Sequence, residues 1–76
     1  MAIMRWNVRV VRVEASGEER FEFHEVEQDE GKAPHAIHRE QFDTDGKDVK
    51  ELYDRLRHML GAINQPVLNM GDYPDR

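Results

Sequence analysis

Apolar residues recur along positions 48–64 with the spacing of one helical face: Val49, Leu52, Tyr53, Leu56, Met59, Leu60 and Ile63. Steps of three and four put these side chains on one side of an α-helix, and Lys50, Glu51, Asp54, Arg55, Arg57 and His58 are left to face water. Asp48 is placed to cap the helix, and Glu51, three residues later, to complete a capping box. Gly61 weakens the final turn by about 1 kcal/mol relative to alanine. Asn64-Gln65-Pro66 then stops the helix.

Upstream the period changes from 3.6 to two. Trp6, Val8 and Val10 alternate with Arg5, Asn7 and Arg9, which predicts a half-buried strand over residues 5–14. Beyond Val10 the phase shifts to Val11 and Val13, the sign of a bulge or of a second, partly covered face. Ala15-Ser16-Gly17-Glu18 reads as a turn. A second strand is predicted over 20–28, with Phe21 and Phe23 on one face and Glu22, His24 and Val26 on the other. Asp29-Glu30-Gly31 reads as a hairpin loop, and a third strand follows over 33–40, with Pro34 near its start.

Pairing Glu14 with Glu19 sets Val10 opposite Phe23 and Val8 opposite Glu25. Pairing Gln28 with Lys32 sets Phe23 opposite Ile37 and Glu25 opposite His35. Trp6, Val8, Val10, Phe21, Phe23 and Ile37 then share one face, which the helix stripe is expected to cover. The predicted fold class is α+β: a three-stranded antiparallel meander with one C-terminal α-helix packed on one face. It forms a single domain over residues 5–70, with flexible termini at 1–4 and 71–76. Val67, Leu68 and Met70 are expected to lie back over the core as a short extended tail.

Composition narrows the partners. With 76 residues, 38% of them apolar, the chain suits one domain with a modest core. A homodimer burying extra surface would add to its stability. The net charge of −5 disfavours a nucleic-acid backbone as partner. The absence of cysteine excludes disulfides, thiol nucleophiles and thiolate metal sites. No signal-peptide pattern and no membrane-spanning run is present, so the expected location is the cytoplasm, without membrane association.

Phe23-His24-Glu25-Val26, Asp29-Glu30-Gly31-Lys32, Leu52, Leu56, Met59-Leu60 and Pro66-Val67-Leu68 together resemble a group of small uncharacterised bacterial proteins. In that group a His-Glu-Val strand leads into an acidic glycine turn, and a helix ends in Met-Leu before Pro-Val-Leu. The resemblance covers roughly residues 5–70 and implies the fold, with no activity attached. Glu27 and Gln28 stand where the group carries aromatic residues.

Candidate chemistry is sparse. The predicted register brings Glu25 beside His35 on the core side, as an acid/base pair, a pH-sensitive contact or a rim salt bridge fixing hairpin register. His24 and His38 fall on the opposite face with Glu22, in a spacing that matches no metal motif. Exposed sheet residues are the favoured account of them, and no metal or other cofactor is expected. Ser16 and Thr44 lie in predicted turns with no base at fixed spacing. Asp43-x-Asp45-Gly46 lacks the closing glutamate of a calcium loop and reads as a turn.

Arg5, Asn7, Arg9 and Arg20 would gather on an uncovered sheet face beside Val11, Val13 and Val26, a surface suited to a protein partner or a second copy. Glu22 and Glu40 dilute that patch, and no aromatic residue is there to stack on bases. The preferred reading is a small non-enzymatic binding or regulatory protein that uses this open face or an edge strand. The alternatives are a nucleic-acid-binding module, or a metal protein or enzyme using His24, Glu25, His35 and His38.

Overall fold

Ser16 and Gly17 both adopt positive φ, 53° and 79°. Two consecutive positive φ values give a tight turn whose twist matches that of the flanking strands. It joins β1 (Met4–Ala15) to β2 (Glu18–Asp29) in a long antiparallel hairpin. Pairing runs without interruption from Met4↔Asp29 to Ala15↔Glu18 and includes Glu14↔Glu19, Val10↔Phe23 and Val8↔Glu25, as expected. The phase shift at Val11 is therefore not a bulge but a second covered face. The computed structural model describes residues 4–29 and 32–73, apart from the side chains of residues 4–6 and 29.

The pairing of β3 (Pro34–Gln41) differs from expectation. Gln28 pairs with Pro34 rather than Lys32, and Val26, not Phe23, pairs with Ile37. Glu30 and Gly31, expected to close the turn, lie outside the described residues. An odd shift of register turns a strand over, so Ile37 joins Val11 and Val26 on the face away from Phe23. Irregularities between His24 and Val26 and between Glu27 and Gln28 shift the register again along the strand.

The helix has the expected bounds. In α1 (Val49–Ile63), Asp48 is the N-cap and its carboxylate accepts from the Glu51 N–H at 2.8 Å. Glu51 Oε1 reaches back to the Lys47 N–H at 3.4 Å, one residue beyond the capping-box position at Asp48. Gly46 precedes the cap, where a β-carbon would lie 2.7 Å from the Leu52 nitrogen. Only glycine fits at this approach.

Beyond the helix, β4 (Leu68–Asn69) pairs in parallel with β1 at Val11 and Arg12. The sheet is thus four-stranded and mixed, in the order β3-β2-β1-β4, rather than a purely antiparallel meander of three. A 3-10 turn over Met70–Asp72 follows, with Met70 buried and Tyr73 packed on the same cluster, so structure extends past residue 70. Residues 1–3 and 74–76, also expected to be flexible, lie outside the described residues. Arg12 fastens β4 in place: its Nε donates to Asn69 Oδ1 at 2.9 Å while Nη1 meets Glu14 at 3.2 Å and Glu19. The hydrogen bond and charge of Glu19 raise the guanidinium pKa above its ordinary value.

Two small cores result, one on each face. Val8, Phe42 and Ala62 form the helix-side cluster with Val10, Phe23 and Met59. Val11, Val26, Ile37 and Met70 form the other, with Val13, Leu68 and Tyr73 around them.

Candidate functional site

The helix meets the sheet with an unexpected side. Ala62 is buried and Met59, Arg55 and Glu51 are half-buried. Ala62 and Met59 pack with Val8 and Phe42. The Arg55 guanidinium lies over the Phe42 ring, 5.4 Å from its centroid, and donates to the Asp43 carbonyl at 3.0 Å. Phe42, from the loop after β3, thus occupies space beneath the helix that the stripe was expected to fill.

The stripe itself faces outward. Val49 is 81% exposed, Leu56 49% and Ile63 60%, and Leu52, Tyr53 and Leu60 are similarly open. Val67, just past the helix, is 49% exposed as well. At about 100° per residue, the stripe is centred roughly a third of a turn from the side carrying Arg55 and Ala62. The expectation that it covers Val10, Phe23 and Ile37 is therefore overturned. The periodicity of the stripe identifies an apolar side of the helix but not which side meets the sheet.

The sheet face expected to be open is covered. Arg9 is 6% exposed; its Nη2 donates to the Pro66 carbonyl at 2.6 Å, and its buried Nε has no partner among the described residues. Val11 is fully buried in the cluster that holds Met70 and Leu68. Asn7 is half-buried and accepts from the Val8 N–H at 2.9 Å. The Arg5 side chain lies outside the described residues. The segment that returns from the helix through β4 closes this face.

The histidines are dispersed. His24 is 1% exposed, not a surface residue: Nδ1 donates to the His38 carbonyl at 2.7 Å, and Nε2 lies 2.8 Å from Glu22 Oε1. Glu22 Oε2 also accepts from Gln41 Nε2 at 3.1 Å. The His38 ring is half-buried and stands 3.5 Å from Glu27 Oε2. Glu25 and His35 are not brought together, because the β3 register moves His35 to an exposed position. Glu25 instead lines an open depression of about 170 Å³ with His38, Glu40, Gln41 and Asp43. Among the described residues no group of three His, Asp or Glu side chains is arranged to hold a metal ion. Asp43 Oδ1 accepts from the Asp45 N–H at 2.9 Å, so the Asp-x-Asp-Gly segment is the expected turn.

What this arrangement exposes is an apolar helix surface. Sequence reasoning identified the stripe residues but assigned them to the core, and it grouped Glu22, His24 and His38 as exposed residues, whereas His24 is buried with Glu22 on its Nε2. No described helix is long and apolar enough to cross a membrane. Comparison with protein-family models, with curated proteins and with solved structures found no match for this chain.

Proposed function

We propose that the chain is a small non-enzymatic binding or regulatory protein that engages a protein partner through the apolar side of α1. The observation that supports this is the exposure of Val49, Leu52, Tyr53, Leu56, Leu60 and Ile63 on one helix. A contiguous apolar stripe with polar margins is the usual mark of a helix that docks on another protein. The sheet-face version of the reading loses its support, because Arg9 and Val11 are buried. A nucleic-acid interface gains none, since Arg12 and Arg55 are engaged by carboxylates and Arg9 is inaccessible.

The test is affinity purification of the tagged wild-type chain from its own cells beside Leu60→Glu, with Lys32→Glu as a surface control. Proteins recovered with wild type and the control, and depleted at least about tenfold with Leu60→Glu, support the reading. Equal recovery with all three ends it.

A further inference from the structure

Apart from Tyr53, whose mirror position Met59 packs into the helix-side core, the exposed stripe is symmetric about Leu56. Val49 lies seven residues before it and Ile63 seven after; Leu52 lies four before and Leu60 four after. Two copies of α1 laid antiparallel, with a two-fold axis beside Leu56, set Leu56 on the partner's Leu56. They also set Val49 on the partner's Ile63 and Leu52 on the partner's Leu60. Every one of these side chains is about half exposed or more in the single chain. An isologous contact requires this self-matching of one patch, which a stripe evolved for an unrelated partner has no need to show. We propose that a second copy of this chain covers the stripe, giving a symmetric dimer closed by antiparallel α1 helices.

Size and charge fit that occupant. The exposed stripe leaves an apolar patch on the order of several hundred Å² in water. With its margins it approaches the ~800 Å² that each partner contributes to a stable interface. No charged side chain interrupts the stripe, so symmetric pairing brings no like charges into its centre. At the margin, Arg57 sits over its own Tyr53 ring, 5.9 Å from the centroid. The two small cores of the single chain also leave room for stabilisation by association.

This inference rests on the reading of the stripe as a binding surface, and its test separates the two. Sedimentation equilibrium of the purified chain should show a dimer. Leu56→Glu places two carboxylates at the axis and should weaken dimerisation at least about 100-fold, with an unchanged circular dichroism spectrum. Ile63→Glu should do the same, and the double variant Val49→Lys/Ile63→Glu should restore the dimer by setting opposite charges face to face. Because the chain has no cysteine, Leu56→Cys should form an interchain disulfide under mild oxidation, whereas Lys32→Cys should not. A wild-type chain still monomeric at about 1 mM, or failure of both the charge pair and the crosslink, overturns the dimer. If that monomer nonetheless loses its co-purifying proteins on Leu60→Glu, the surface stands and only its occupant was wrong.

Discussion

His24 Nε2, buried, lies 2.8 Å from Oε1 of the half-buried Glu22, two positions away on the same strand. The backbone carbonyl that faces Nδ1 can only accept, so Nδ1 carries hydrogen and Nε2 is left facing the Glu22 carboxylate. Nitrogen-15 spectra of the histidine rings should therefore show the His24 hydrogen on Nδ1. Replacing His24 with alanine removes both bonds and opens a cavity, a loss of about 3 kcal/mol in denaturant unfolding. Glu22→Gln keeps an acceptor and should cost about 1 kcal/mol.

The β1–β2 turn carries a removable strain. Ser16 holds φ at 53°, a region costly for most residues but tolerated by asparagine. Ser16→Asn creates the Asn-Gly pair that this turn geometry favours and should stabilise the fold by about 0.5 kcal/mol. A rise in the urea midpoint at constant m-value checks it.

Two glycines should respond in opposite directions. A β-carbon on Gly61 meets nothing within 4 Å, so Gly61→Ala should stabilise the helix by about 1 kcal/mol and raise Tm by about 4–8 °C. On Gly46 the same β-carbon strikes the backbone nitrogen of Leu52. Gly46→Ala should destabilise by about 1–3 kcal/mol, read in the same thermal melt.

Arg9 ties the returning chain to the sheet through the Pro66 carbonyl. Arg9→Glu buries a carboxylate without a cation and should cost about 3 kcal/mol or more. Arg9→Met keeps the volume, leaves one carbonyl unsatisfied and should cost about 1 kcal/mol. Chemical denaturation distinguishes them. Loss of partners by Arg9→Glu would thus report on folding rather than on a lost contact.

What could be read in the chain follows from the range of each interaction. The bounds of α1 and the β1–β2 register depend on neighbours: Asp48 and Glu51 at one end, Asn64 at the other, Ser16-Gly17 between the strands. The β2–β3 register spans a longer connection, and the irregularity near Val26 defeats strict alternation. β4 is two residues long and carries no pattern of its own; Arg12 and the parallel pairing hold it in place. Amphipathicity showed that α1 has an apolar side to cover. Whether Phe42 or the stripe lies beneath the helix is a matter of tertiary fit, which periodicity does not encode.

The rotation of α1 separates two kinds of selection on fifteen consecutive residues. Arg55, Met59 and Ala62 answer to folding, while Leu52, Leu56 and Leu60 are free to change without disturbing the sheet. Under the proposed pairing, association along this helix can change, one stripe exchanged for another or for a wholly polar face, while the same scaffold is kept underneath. Substitutions in a mutational scan should accordingly fall into two groups that alternate around the helix, one read by proteolysis and the other only by concentration.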